Sequence, residues 1–340
     1  MRKILLVCTG GTIASKKSEN GLAPELSAKE LLSYIPDIIS SGNIEVHSVQ
    51  IFNIDSTNMT PSNWCAIVET IEKYYDEYDG FVVCHGTDTM AYTSAALSYM
   101  IRNSLKPIVI TGSQKPIDLD ITDGRKNLTD SIIYAADEES SGVSIVFDGN
   151  VIAGTRAKKM RAKSYNAFYS VNFPELAVIR DGRIIRYINP EIPKGDVRFY
   201  KELNESVIVL KLIPGLSPDI LDYLFKNYDC IVIESFGVGG IPDNMFKEFC
   251  VQMEKRMSEG KIVVMATQVV NEGSNMEIYE VGQRIKKAFN LIEAYDMTLE
   301  ATITKLMLLM RLYKNDYEKI RRAFYETVNH DILYKGDEEI

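Results

Sequence analysis

Three short polar segments of the chain contain the residue types that acyl-transfer chemistry uses. Each segment directly follows an apolar run, and the three are Thr9-Gly10-Gly11-Thr12, His85-Gly86-Thr87-Asp88-Thr89 and Thr111-Gly112-Ser113. Acyl transfer needs a nucleophilic oxygen, unhindered N–H donors and a polar relay, which hydroxyl groups, glycine amides and a carboxylate can supply. The segments therefore predict a catalytic site, with Thr12 among the candidate catalytic residues.

Each of these residues also has a purely structural explanation. A threonine after a strand often only turns the chain, and Asp88, just ahead of a helical pattern, would by default cap that helix. His85 ends an apolar run, which favours a packed, hydrogen-bonded histidine over a catalytic base. The glycines match neither GxGxxG nor GxxxxGK[ST], so phosphate binding is not favoured.

A threonine nucleophile needs a base, because its hydroxyl is poorly nucleophilic at neutral pH. The other two histidines, His47 and His330, are remote in the sequence, and no GxSxG motif is present. A lysine that is withdrawn from water loses its proton more readily. The run GTRAKKMRAKS at 154–164 follows the fifth predicted strand and a predicted hairpin toward the same edge, although such a run equally suits a solvated surface.

The order of apolar runs in the first half predicts a parallel sheet with helices on both faces. The predicted strands span 3–8, 45–52, 79–86, 106–113 and 142–149, with helical patterns at 62–78 and 89–103. Strands that alternate with helices are typical of a doubly wound, mostly parallel α/β sheet. Ligands of such sheets bind beyond the carboxyl ends of the strands, where the three polar segments lie.

The pattern restarts after a loop-like stretch at 181–196. Strands at 206–215, 228–240 and 261–270, with helices at 217–227, 243–259 and 298–313, predict a second, smaller α/β domain. We expect an N-terminal domain with the main catalytic residues over 1–188, a linker over 189–205 and a C-terminal domain over 206–340.

Composition narrows the class of protein. The 340 residues carry a formal net charge of -9, which disfavours binding of nucleic acid or an anionic membrane surface. No run approaches the roughly 18 apolar residues of a membrane span, and the apolar run before Thr9 is too short for a signal peptide. The five cysteines are odd in number and include no CxxC pair, so we expect a reducing cytoplasm. Because the three histidines are also scattered, we expect no metal site, and we expect no cofactor.

Several segments resemble the bacterial-type L-asparaginases, specifically their type I cytoplasmic branch. They are CTGGTIAS at 8–15, DSTNMTPSNW at 55–64, DGFVVCHGTDTMAYTSAALSYM at 79–100, TGSQKPI at 111–117, SFGVGGIP at 235–242 and MTLEATITKL at 297–306. The resemblance spans essentially the whole chain. It implies hydrolysis of L-asparagine to L-aspartate and ammonia by a homodimer or homotetramer.

The resemblance also implies roles for individual residues. Thr12 matches the threonine nucleophile that forms an acyl-enzyme, and Thr87 and Asp88 match the family's second threonine and its aspartate. Lys159 matches the lysine of the proton relay, with Lys158 and Lys163 as close alternatives.

Substrate binding follows from the charges of asparagine, which carries an ammonium and a carboxylate on one carbon. Asp88 supplies an anion, and Ser56 with loop N–H groups supplies neutral donors. The resemblance implies that the substrate-binding residues are Gly11, Asp55, Ser56, Thr57, Gly86, Thr87 and Asp88. Glutamine is one methylene longer, a difference worth about 1–3 kcal/mol, so minor glutaminase activity is expected.

One position departs from the family pattern. The mobile loop after the first strand usually carries a tyrosine that activates the nucleophile, and Leu22 stands there in this chain. Tyr279, in SNMEIYEVG at 274–282, matches another family position and is the candidate replacement.

Two alternative functions remain open at this stage. An amidase subunit that frees ammonia for transamidation of charged tRNA shares this core, but usually has an extra amino-terminal domain, whereas here the first strand begins at residue 3. An amino-acid sensor with a decayed site is the non-enzymatic alternative, and Leu22 is its support. Ammonia release from free asparagine separates these hypotheses.

Overall fold

The chain folds into two compact units. The computed structural model describes residues 1–18, 21–35, 43–189, 193–278 and 280–335. The first unit is Met1–Lys201 and the second is Glu202–Ile340. The domain bounds expected from the sequence stay a prediction.

The first unit contains one large sheet and several short strand pairs. Its strands are β1 (Arg2–Gly10), β2 (Ser15–Ser18), β3 (Gly21–Pro24), β4 (Ile44–Ile54), β5 (Gly80–Cys84), β6 (Ile101–Arg102), β7 (Pro107–Thr111), β8 (Gly142–Phe147), β9 (Asn150–Ala153), β10 (Ala157–Lys159), β11 (Phe168–Ser170), β12 (Ala177–Arg180), β13 (Arg183–Arg186) and β14 (Arg198–Phe199). Its helices are α1 (Ala28–Leu32), α2 (Pro61–Tyr74), α3 (Met90–Met100) and α4 (Gly124–Ala135), with 3-10 turns at Thr12–Ala14 and Ser56–Asn58.

The large sheet has eight strands in the order β13-β12-β9-β8-β7-β5-β1-β4. In this spatial order, β4, β1, β5, β7 and β8 pair in parallel with their neighbours. The remaining pairs, β8 with β9, β9 with β12 and β12 with β13, are antiparallel. Every residue of β5 and β7 is buried, as expected for parallel strands that are covered on both faces. The predicted mostly parallel α/β fold is therefore confirmed.

Helix α2 shows how local sequence sets a helix start and its buried face. Pro61 occupies its first turn, and the Thr60 N–H donates to Asn63 Oδ1 at 2.8 Å, which satisfies a group left open by the helix end. The side chains that turn inward recur at helical spacing: Trp64, Ile67, Val68 and Ile71. The period of 3.6 residues thus directs this face toward the protein interior, where Trp64 Nε1 donates to Thr93 Oγ1 of α3.

Two hairpins turn on the same dipeptide, Asp-Gly. Asp148 and Gly149 join β8 to β9, and Asp181 and Gly182 join β12 to β13, all four with positive φ. Two successive residues with positive φ form the turn type that matches the twist of paired strands. The first hairpin was predicted, whereas the expectation of a loop from residue 181 was wrong, because the Asp-Gly signal there begins a strand.

The second unit is a smaller parallel α/β domain, as predicted. Its strands pair in the order β15 (Val207–Lys211), β16 (Cys230–Ser235), β17 (Ile262–Thr267) and β18 (Ile292–Glu293). Its helices are α5 (Asp219–Asn227), α6 (Asp243–Ser258), α7 (Glu280–Phe289), α8 (Leu299–Tyr313) and α9 (Tyr317–Phe324), with a 3-10 turn at Met276–Ile278. Its core is built from apolar side chains of β16, β17 and the helices that pack on them.

The cysteines behave as small apolar residues. Cys8, Cys84 and Cys230 are buried in strands, as predicted, and none of the five cysteines forms a disulfide. In the part of the chain that the structure describes, no helix has both the length and the apolar character needed to cross a membrane.

The close packing of α4 on β5 makes Gly80 a sensitive position. A Cβ atom at Gly80 would collide with the carbonyl oxygen of Ala135, a backbone atom that cannot rotate away. We expect Gly80→Ala to lower the free energy of unfolding by about 3 kcal/mol. Urea unfolding that is followed by the fluorescence of Trp64, the only tryptophan of the chain, measures this.

Gly182→Ala is the matched control, because a Cβ added there would come no closer than 3.9 Å to any atom beyond the adjacent residues, and only the positive φ opposes alanine. That substitution should cost about 1 kcal/mol. Equal costs at the two positions would show that close approach does not constrain Gly80.

Candidate active site

The three polar segments meet at one edge of the large sheet. β5 lies between β1 and β7, and Cys84 is the Cα partner of both Cys8 and Thr111. Because the three strands are parallel, the segments that follow them emerge side by side. The juxtaposition expected from the sequence is therefore present.

Glycines let the backbones of these segments touch. Gly11 has a φ of 79°, and a Cβ there would collide with the backbone nitrogen of Gly86. A Cβ at Gly86 would lie 2.6 Å from Ser56 Oγ, and one at Gly112 would collide with the carbonyl oxygen of His85. Thr12 directly follows Gly11, Thr87 directly follows Gly86, and Ser56 lies against Gly86. The absence of glycine side chains therefore allows these three segments to pack closely together.

The loop of Thr12 is held by its own backbone. The Gly11 N–H donates to the Ile54 carbonyl at 3.0 Å, and Ser15 Oγ donates to the Gly11 carbonyl at 3.0 Å. Thr12 begins the 3-10 turn and is half-buried. Its hydroxyl group has no hydrogen-bond partner among the described residues.

Lys159 joins the two residues of the second segment. Its Nζ donates to Thr87 Oγ1 at 2.7 Å and to Asp88 Oδ1 at 2.6 Å. The lysine side chain is 17% exposed, whereas that of Asp88 is 56% exposed. The adjacent Lys158 points to the opposite face of the strand, because side chains alternate along β10.

Helix α3 fixes the segment that delivers Lys159. Ser94 Oγ, on α3, donates to the Gly154 carbonyl at 2.7 Å, at the exit of the β8–β9 hairpin. Arg156 is fully buried, with its guanidinium 5.8 Å from the centre of the Phe173 ring. These contacts anchor the chain that leads into β10 and set the reach of Lys159.

Ser56 connects the second segment to the loop after β4. Its carbonyl accepts from Thr89 Oγ1 at 2.8 Å, and its Oγ accepts from the Asp88 N–H at 3.3 Å. Asp55 Oδ1 accepts from the Thr57 N–H at 2.8 Å and from Thr57 Oγ1 at 2.9 Å, so both side chains hold the local 3-10 turn.

The default expectation that Asp88 caps the following helix was wrong. The residue at the start of α3 is Thr89, and no side chain caps it. The Asp88 carboxylate points instead to Lys159, because a charge-assisted contact to an ammonium is stronger than a bond to a neutral N–H.

Gln114 is a site residue that the sequence patterns did not identify. Its Oε1 accepts from Thr87 Oγ1 at 3.3 Å, and its Nε2 donates to the carbonyls of Arg161 and Ser164 at 3.3 and 3.1 Å. Asp123 holds the backbone here, since its carboxylate accepts from the Gln114 N–H at 2.8 Å. The sequence feature that could have identified Gln114 is its position directly after the third polar segment, Thr111-Gly112-Ser113.

His85 is a packed residue, as predicted. It is fully buried, with Nδ1 2.6 Å from the Gly86 carbonyl and Nε2 2.9 Å from Thr93 Oγ1. Burial lowers the pKa of His85 to about 4, against the opposing effect of its bond to Gly86. The imidazole is therefore neutral near pH 7.

Leu22 and Tyr279 are the two residues at the departure from the family pattern. Leu22 lies in β3, which pairs with β2 in a two-stranded hairpin, Lys17 being its Cα partner. Tyr279 lies outside the described residues, so its part in the site stays a prediction. Within the described ranges, no cluster of three His, Cys, Asp or Glu side chains is arranged to hold a metal ion.

Two family models match the chain. The model described as Asparaginase, N-terminal covers residues 3–192, and that described as Glutaminase/Asparaginase C-terminal domain covers residues 206–324.

Relatives match over nearly the full chain. The L-asparaginase of Thermococcus kodakarensis is 38% identical over 97% of this chain and 99% of its own length, and L-asparaginase 1 of Escherichia coli is 34% identical over 97% and 98%. The solved structure of the thermostable L-asparaginase from Thermococcus kodakarensis has a TM-score of 0.91 at 37% identity, over 98% of this chain and 100% of that one. A Glutamyl-tRNA(Gln) amidotransferase protein of Pyrococcus abyssi is 33% identical, over 94% of this chain and 74% of its own length.

The lowered pKa of His85 predicts a pH dependence of stability. The unfolded chain binds a proton on this imidazole below about pH 6.5, while the folded chain stays neutral down to about pH 4. The stabilisation is therefore present above pH 6.5 and is lost as the pH falls toward 4, amounting to about 2 kcal/mol between pH 7 and pH 5.

Urea unfolding that is followed by circular dichroism at pH 7 and pH 5 measures this difference. His85→Asn removes the titrating group and is the control, so the fall in unfolding free energy should be about 2 kcal/mol smaller in the variant. The same fall in both proteins would contradict a neutral buried imidazole.

Proposed function

The chain belongs to the asparaginase family, and on that premise we propose that this amidohydrolase converts L-asparagine to L-aspartate and ammonia through an acyl-enzyme on Thr12. One observation supports the proposal most directly, namely the contact of Lys159 Nζ with both Thr87 Oγ1 and Asp88 Oδ1. Thr87 directly follows Gly86, whose backbone meets that of Gly11, so the lysine contacts a residue beside the point where the two loops touch.

The reaction has two half-reactions. In the first, Thr12 Oγ attacks the carbon of the side-chain amide, its proton passes to a base, and the amide nitrogen gains a proton and leaves as ammonia. In the second, water attacks the resulting ester, and Thr12 regains its proton as aspartate leaves. Tyr279 is the candidate for the group that receives this proton, which a phenol can do only while it passes its own proton on through a hydrogen-bonded relay.

The relay of Asp88, Lys159 and Thr87 balances the remaining protons. An ammonium on Lys159 can pass a proton through the Thr87 hydroxyl to the departing nitrogen. The neutral lysine then takes a proton back from the incoming water along the same path. Asp88 holds the lysine beside Thr87, because its carboxylate accepts from Lys159 Nζ at 2.6 Å.

The same residues suit the amino-acid end of asparagine. The half-exposed Asp88 carboxylate has a free side for the substrate ammonium. Ser56 Oγ accepts from the Asp88 N–H, which leaves its own hydrogen to donate to the substrate carboxylate. Asp55, Thr57 and the backbones of Gly11 and Gly86 line the same edge.

Finer features of the proposal follow from the family. We propose minor glutaminase activity, because one methylene is weakly discriminated. We also propose a cytoplasmic homodimer or homotetramer, and five cysteines without a disulfide support a reducing compartment.

The amidotransferase alternative rests on a weaker match. The similarity to the Pyrococcus abyssi amidotransferase protein covers 74% of that protein, whereas the L-asparaginases are matched over 98% of their length or more. The sensor alternative is disfavoured by the intact contacts of Lys159 with Thr87 and Asp88. A decayed site has no need of a largely buried lysine paired in this way.

The activity and its nucleophile are tested together by ammonia release. Wild-type protein should release ammonia from free L-asparagine without any tRNA, more slowly from L-glutamine, and not at all without substrate. Thr12→Val should keep the fold and lower kcat by at least about a thousandfold, because it removes only the attacking hydroxyl. A variant that keeps more than a tenth of kcat would rule out Thr12 as the nucleophile.

The choice of lysine is tested by paired substitutions on one strand. Lys159→Met should lower kcat by about a hundredfold or more, because Thr87 and Asp88 lose their shared donor, while asparagine binding is retained. Lys158→Met makes the same change at the adjacent position on the opposite face and should keep kcat within about twofold. Steady-state kinetics on both variants decides; a dead Lys158→Met with an active Lys159→Met would reverse the assignment.

A further inference from the structure

We infer that Trp64, Thr93 and His85 form a buried relay that holds and polarises the peptide group between Gly86 and Thr87, an inference that rests on the proposed function. Trp64 Nε1 donates to Thr93 Oγ1 at 2.9 Å. Thr93 Oγ1 lies 2.9 Å from His85 Nε2, and His85 Nδ1 lies 2.6 Å from the Gly86 carbonyl. All three side chains are buried.

The direction of the relay follows from its last contact. The Gly86 carbonyl can only accept, so His85 Nδ1 must carry a hydrogen to approach it at 2.6 Å. The imidazole is neutral near pH 7, so Nε2 has no hydrogen and accepts from the Thr93 hydroxyl. Trp64 can only donate, which is consistent with every donor pointing toward Gly86.

The relay begins on one rigid element and ends at the catalytic segment. Trp64 lies on α2, Thr93 on α3, and His85 directly follows β5. Hydrogen bonds that point the same way polarise one another, so the relay polarises the Gly86 carbonyl more strongly than an isolated imidazole would. The relay thereby ties the orientation of one peptide group to two packed helices.

The polarised peptide group belongs to the residue that contacts Lys159. In a trans peptide, the N–H points away from the C=O, so the Thr87 N–H faces away from the His85 relay. This N–H has no hydrogen-bond partner within the described ranges of the chain. Withdrawing electron density through the carbonyl makes it a stronger donor, as stabilisation of a developing oxyanion requires.

The relay also has a plain structural explanation, since buried polar groups need partners wherever they lie. In that case, breaking it would lower stability and leave the chemical step unchanged in the folded protein. A positioning role instead lowers kcat more than it changes KM, because the peptide N–H acts on charge that appears only in the transition state.

Thr93→Val tests the relay, because it removes the hydroxyl and keeps the shape. We expect kcat for asparagine to fall at least about tenfold with KM changed less than about threefold. Thr93→Ser restores the hydroxyl and should return kcat to within about threefold of wild type. Thr302→Val makes the same change at a fully buried helical threonine of the second unit and should leave kcat unchanged.

Nitrogen NMR of the imidazole tests the same relay without any activity, and the chain has only three histidines to assign. We expect His85 in wild-type protein to be neutral with its hydrogen on Nδ1 from pH 5 to pH 8, and the Nε2 signal to shift in Thr93→Val. The inference would be overturned if NMR placed the hydrogen on Nε2. It would also be overturned if Thr302→Val lost as much kcat as Thr93→Val, or if folded Thr93→Val kept the wild-type kcat. Absent ammonia release in the wild type, with the expected tautomer, would instead overturn the proposed function alone.

Discussion

The site depends on one close approach, that of the Gly11 backbone to the Gly86 backbone. No other residue type fits there, because a Cβ on Gly11 would meet the Gly86 nitrogen and Gly11 has a positive φ. This contact places the end of β1 against the end of β5, so Thr12 and Thr87, which directly follow Gly11 and Gly86, belong to loops that touch. The Lys159 contacts and the Ser56 bridge are arranged around it.

Polar groups at this edge are divided between two environments. On the buried side, His85 is neutral, because burial has lowered its pKa. On the open side, Lys159 and Asp88 keep opposite charges next to each other where solvent reaches the carboxylate. Because buried His85 is neutral and the Lys159–Asp88 pair reaches solvent, the loop is held without an unpaired charge in the core.

Much of this arrangement was predictable from the sequence, for identifiable reasons. The strands before Thr9, His85 and Gly112 are short apolar runs, and parallel order alone brings their ends together. Helix α4 was missed because its inward face includes polar Asn127 and Asp130, which obscure the apolar period. The choice of Lys159 among neighbouring lysines depends on the register of a three-residue strand, and the orientation of Asp88 depends on a partner 71 positions away.

The central claim is that Thr12 carries the acyl group during turnover. Wild-type protein mixed with L-asparagine and quenched rapidly in acid should contain an aspartyl ester, and peptide mass spectrometry can locate it. The account predicts the ester on Thr12, within the tryptic peptide that follows Lys3 and ends at Lys16. An ester on Thr87, or hydrolysis at full rate with no ester on any residue, would contradict it.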